Sequence, residues 1–208
     1  MIAVRTFAPP PVCEREILRY AGCRQADEGV LVLLNECLDE ALPLLSYTVC
    51  FEEIDPKPFT AKSFQLARNL DGCERVMLMA ATLGVGIDRL IAKYGRLSPA
   101  KALLLQAIGT ERVEALCDAF CEALAEETGL IPRPRFSPGY GDLPLDTQRE
   151  VLARLEAAKR LGVTLNDSLI MSPSKSVTAF VGLSHDSTQK TDKCRLCEKR
   201  ECMFRGVI

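Results

Sequence analysis

The chain has 208 residues, 48% of them hydrophobic and 26% charged, with a formal net charge of −2. That length holds one domain, or one domain with a small appendage, and the composition supports a sizeable core and argues against disorder. The slight acidity speaks against a general nucleic-acid binder, which would show a basic surplus, and no segment approaches the roughly 18–20 apolar residues that span a bilayer.

The N-terminus, MIAVRTFAPPPVCEREI, has no sustained apolar core and no small-residue cleavage site, so it does not read as a signal peptide and the expected location is the cytoplasm. Thiols stay reduced there. Seven of the ten cysteines lie scattered in apolar or helical surroundings and mostly read as small buried hydrophobes.

Helical spacing appears first in CEREILRYAG, then in DEGVLVLLNECLDEALPLL, which starts near an Asp27 cap and stops at Pro43. SYTVCFEEI, residues 46–54, partly alternates and reads as a strand, with DPKPF as a turn after it. RVMLMAATL, 75–83, is a near-continuous apolar run, as expected of a strand buried on both faces. GVGIDRLIAKYG then turns helical. The longest helix is predicted over 98–129, with Ser98 as N-cap, Pro99 in the first turn, Gly129 at the close and Gly109 as a place to bend or divide it. A further helix spans about 147–161, Thr147 and Glu150 having capping-box spacing. SVTAFVGL, 176–183, is the last predicted strand. Strands and helices without regular alternation predict an α+β fold, a mixed and largely antiparallel sheet packed with helices over 1–183, followed by a short cysteine-bearing tail, 184–208.

Among motifs, LGVGIDR suggests a dinucleotide loop, but the third glycine of that fingerprint falls at Arg89, and a tight strand-to-helix turn explains it better. The single histidine, His185, stands in the polar region before the tail, and there is no Gly-x-Ser-x-Gly elbow. Ser168, Ser172, Ser174 and Ser176 have no evident base and read as caps and turn formers. The segment RPRFSPGYGDLP, 133–144, is different. Arg133 and Arg135 offer planar forks for a carboxylate or phosphate, Gly139 and Gly141 allow close approach to the backbone, and Tyr140 offers a ring face. Residue types alone leave two readings: a ligand grip, or a stiff turn with solvated arginines.

The downstream pattern favours the grip. Arg135, Pro138, Gly139, Tyr140 and Pro144, then Gly162, Leu165, Ser168, Met171, Pro173, Ser176 and Val177, fall in register with the motifs of one family. Over about 130–182 the chain resembles the activation domain of cobalamin-dependent methionine synthase; RYAG and ATLGVGID match more loosely. The resemblance implies a site for S-adenosylmethionine and docking onto a cobalamin-binding methyltransferase subunit, with reductive methylation of its cobalamin as the supported reaction and a separate electron-donor protein. Carried over singly, the arginine that takes the methionine carboxylate is Arg135, Ser137 and Tyr140 line the same pocket with Gly139 between them, and an upstream helix glutamate corresponds to Glu114. There are departures. An insertion before the arginine motif is absent, Asp146 stands where the family has a histidine, and a later ligand-facing tyrosine has no counterpart. They leave open a corrinoid partner other than methionine synthase.

In the tail, Cys194, Cys197 and Cys202 form a C-x2-C-x4-C array. Three thiolates suit zinc with a fourth ligand such as His185, or an iron–sulfur cluster, or remain free thiols. Basic residues around them are half offset by Asp192, Glu198 and Glu201, so an acidic protein partner fits at least as well as nucleic acid. The alternative function from this tail is a non-enzymatic metal-binding adaptor that docks onto a protein partner.

Overall fold

The computed structural model describes residues 1–185. In chain order the strands are β1 (Ala3–Thr6), β2 (Thr48–Glu53), β3 (Arg75–Thr82), β4 (Ile131–Pro132), β5 (Thr164–Leu165), β6 (Met171–Ser172) and β7 (Ser176–Ser184). The helices are α1 (Glu14–Tyr20), α2 (Glu28–Ala41), α3 (Lys57–Thr60), α4 (Phe64–Leu70), α5 (Gly86–Leu97), α6 (Pro99–Thr128), α7 (Thr147–Arg154) and α8 (Ala157–Leu161). Five strands form one sheet in the order β1-β2-β3-β7-β4, and every pairing in it is antiparallel. The α+β expectation holds.

The apolar run of β3 is long because helices cover both sides of it. Met77, Met79 and Ala81 face α6 and pack with Val113, Leu116 and Phe120. Val76, Leu78 and Ala80 face the other way, toward Leu66 of α4 and Val151 of α7. Alternate residues of one strand thus feed two cores, as the two-residue period requires. A third cluster, with Ile17, Leu34, Ile87, Leu104 and Ile108, joins α1, α2 and α5 to the first half of α6.

Several local expectations change. The DPKPF turn contains the single-turn α3, and α4 follows it under a Ser63 cap whose Oγ accepts from Leu66 N at 2.9 Å. Gly109 does not interrupt α6, which runs unbroken for 30 residues. The glycine instead gives room to the Lys175 side chain, whose Cγ would lie 2.8 Å from an added Cβ. The predicted helix at 147–161 is two, separated at Glu156, which has φ 49°. That break lets Leu155 and Ala157 both reach full burial. The capping box is absent because a tight turn already occupies the first amides: Thr147 N, Gln148 N and Arg149 N donate to the carbonyls of Pro144, Leu145 and Asp146. At the Gly-x-Gly turn, a side chain at Gly86 would run into the Leu44 carbonyl, so close approach of backbone explains the motif.

Candidate functional site

Arg133 and Arg135, two residues apart, go to different places. Arg133 is buried at the sheet edge, where its Nε meets Ser184 Oγ at 3.1 Å and its NH2 meets the Asp71 carbonyl at 3.3 Å. It is part of the scaffold, neither a ligand grip nor a solvated arginine. Arg135 crosses to α6. One arm donates to Glu114 Oε2 at 2.7 Å and the other to Asp118 Oδ1 at 2.5 Å. Its side chain is 13% exposed, against 43% for Glu114 and 65% for Asp118.

Two of the sequence-derived residues, Arg135 and Glu114, are therefore in direct contact. Asp118 is the residue that sequence reasoning missed. The signal was its spacing: in VEALCDAF it lies four residues after Glu114, and i,i+4 residues share a helix face. Burial works against the charge on Arg135, but the Asp118 carboxylate, by charge and hydrogen bond, and Glu114 more than offset it and raise its pKa above the ordinary arginine value. The guanidinium is charged at any working pH. Burial also pushes the Cys117 thiol up to about 12, against the pull of Arg135, so this cysteine stays a neutral thiol beside the site.

The rest of the loop hangs on α4. Asp142 accepts from Ser63 Oγ, from Phe64 N at 2.8 Å and from Gln65 N at 3.2 Å, holding the first turn of that helix. Tyr140 N donates to Ser137 O at 3.0 Å and Gly139 N to Leu143 O at 2.9 Å. Gly141 has φ 53°, and a side chain there would collide with Gln65. Tyr140 is left 61% exposed. The loop is tied down at both ends, with Arg135 aimed at α6 and the Tyr140 ring outward. An open groove of about 420 Å³ continues from Asp118 along Cys121, Glu122 and Ala125 to Ile131 and Pro132.

A crystal structure of the MetH reactivation domain bound to AdoHcy matches 90% of this chain and 79% of its own, with a TM-score of 0.63 and 14% sequence identity. The chain has the MetH reactivation-domain fold. No protein-family model and no curated protein matches it.

Two serines of the segment leading into β7 hold its turn. Ser174 donates from both N and Oγ to Asp88, and Ser176 Oγ to the Pro173 carbonyl at 2.8 Å. His185 lies exposed, 3.2 Å from Glu74. Of the scattered cysteines, Cys37, Cys50 and Cys117 are buried, whereas Cys23, Cys73 and Cys121 are partly so and Cys13 is exposed. That is less burial than expected: Cys13 and Cys23 flank α1, Cys73 lies in the turn before β3, and Cys121 lines the groove along α6. Among the described residues no group of three His, Cys, Asp or Glu side chains is placed to hold a metal; Cys194, Cys197 and Cys202 lie outside them. No described helix is long and apolar enough to cross a membrane.

Proposed function

We propose that the chain binds S-adenosylmethionine at Arg135 and presents its methyl group to reduced cobalamin on a corrinoid-dependent methyltransferase, methionine synthase first among them. The observation that carries this reading is the Arg135 fork set against Glu114 and Asp118, in a fold whose solved neighbour was crystallised with AdoHcy. AdoHcy is what S-adenosylmethionine becomes on losing its methyl group.

The donor set fits this ligand. S-adenosylmethionine carries a carboxylate, an ammonium and a sulfonium. Arg135 offers a planar fork to the first, and two carboxylates one helical turn apart offer counter-charge to the other two. Before binding, Glu114 and Asp118 hold the fork charged and oriented. A ligand carboxylate would take their place on Arg135 and free them for its cationic groups. Ser137, Gly139 and Tyr140 would line the wall, with the Tyr140 ring available to the sulfonium or adenine. The sulfonium and the partner's cobalamin supply the electrophile and the nucleophile themselves. This chain's residues need only bind, orient and exclude water, so the lack of a histidine or a carboxylate dyad acting as acid and base is no obstacle. The reductant would be a separate electron-donor protein, and the setting the reduced cytoplasm.

Residues 1–183 would form this module and 184–208 a tail in which Cys194, Cys197 and Cys202 hold zinc or an iron–sulfur cluster; metal analysis of the purified full chain tests that part. The main reading is tested by calorimetric titration of S-adenosylmethionine into wild type and Arg135→Ala, with a cobalamin-loaded methyltransferase added to each. Saturable binding lost in the variant is expected. No binding in either condition overturns the assignment. Reactivation that survives Arg135→Ala but not removal of the tail would favour the metal adaptor instead.

A further inference from the structure

A second cavity, of about 290 Å³, opens between α1, α6 and the turn before β7, lined by Tyr20, Leu103, Gln106, Ala107, Thr110 and Lys175. Its floor is one face of α6, since 103, 106, 107 and 110 recur at helical spacing. The Lys175 stem lies in the notch at Gly109, which aims the amine at Thr110 Oγ1, 3.1 Å away. Thr110 Oγ1 donates in turn to the Gln106 carbonyl at 2.9 Å, so the lysine's hydrogen-bond partner is a neutral hydroxyl. Asp88 is the nearby counter-charge, but it accepts both bonds from Ser174. Burial lowers the Lys175 pKa, and Asp88 opposes this only in part. An ammonium held this way is costly unless an anion completes it.

We infer that this cavity is an oxyanion site, taking the phosphate or carboxylate group of a small organic ligand on Lys175 and Thr110, with the ligand's apolar body against Leu103, Ala107 and the Tyr20 ring. The site neighbours the one at Arg135: Thr110 and Glu114 lie about 6 Å apart along the helix and the Glu114 charge is felt by Tyr20, but Lys175 shares no hydrogen-bond partner with Arg135.

The test is a titration of the full chain with inorganic phosphate, phenyl phosphate and benzoate, read by amide NMR shifts in wild type, Lys175→Met and Arg135→Ala. Met keeps the apolar stem over Gly109 and removes the amine. Saturable shifts at Ala107, Thr110 and Lys175 are expected in wild type and in Arg135→Ala, and at least tenfold weaker binding in Lys175→Met. Phenyl phosphate should bind more tightly than inorganic phosphate. A preference for phenyl phosphate over benzoate makes the ligand a phosphomonoester, and the reverse makes it a carboxylate. Unmoved amides with all three anions overturn the inference, as does undiminished binding in Lys175→Met. Should that variant not fold, acetylation of Lys175 in wild type, followed by mass spectrometry, gives the answer: the bound anion should protect the amine, and equal labelling with and without it overturns the inference. Because Arg135→Ala is carried alongside, failure of the S-adenosylmethionine reading leaves this result intact.

Discussion

Arg112 and Arg135 both pair with carboxylates of α6, and they differ in what surrounds the pair. Arg112 is fully buried, its Nε and NH2 each 2.5 Å from Glu111, while NH1 and NH2 reach the Pro10 and Pro11 carbonyls at 2.6 Å. Glu111 also accepts from Cys13 N at 3.2 Å. This cluster is closed: it fastens the proline-rich N-terminal segment to the central helix, and both its charged side chains are buried. Arg135 has the same chemistry, but its carboxylate partners are solvent-exposed, so they can turn away and be rehydrated at little cost. What makes an arginine available to a ligand is the exposure of its partners, not of the arginine itself.

The sharpest way to break this contrast is to remove each arginine in turn and measure denaturant unfolding. Arg112→Met leaves Glu111 buried without its partner, and about 3–5 kcal/mol of stability should be lost, a large part of the roughly 5–15 kcal/mol of a typical domain. Arg135→Ala should cost about 1 kcal/mol or less, because its partners return to water, while abolishing the proposed ligand binding. Equal losses would erase the distinction.

A smaller effect is expected at the loop tip. Gly141→Ala meets both a left-handed backbone and the Gln65 side chain and should destabilise by about 1 kcal/mol or more. In the same calorimetric assay it should weaken S-adenosylmethionine several-fold with Arg135 intact. Unchanged affinity would show that Arg135 acts without the loop.

The smallest effect depends on pH. The hydrogen bond from Ser63, with the amides of Gln65 and Phe64, holds the Asp142 carboxyl below its usual range. A depressed carboxyl pKa stabilises the fold fully above the unfolded value and loses that contribution as pH falls through the folded one. Asp142→Asn should therefore lower the melting temperature at neutral pH, and the gap from wild type should close below about pH 4. A gap that persists in acid would mean that the charge does not matter there.

How much of this was legible in the sequence varies with the range of the interactions involved. The buried strand β3 showed itself through its apolar run, and α6 through Ser98, Pro99 and Gly129, since those signals are local. The seven residues of α4 are too few for a period to show. Arg133 and Arg135 look equivalent in RPRF; only the sheet edge and α6, far away in sequence, decide which is buried and which reaches the helix. Glu114 was legible only through the family resemblance. Asp118 and Arg112 looked like ordinary helix-surface charges, and the partners that give them meaning lie 17 and about 100 residues away.

The unbroken course of α6 has a mechanical consequence. One continuous helix carries the Arg112 clamp, the Thr110 floor of the proposed oxyanion cavity and the two carboxylates that meet Arg135. Their separations are fixed by helical pitch and do not vary with loop sampling. Any protein that seats against the face of Thr110, Glu114 and Asp118 meets a ruler with marks one helical turn apart, while Arg112 anchors the opposite, buried face.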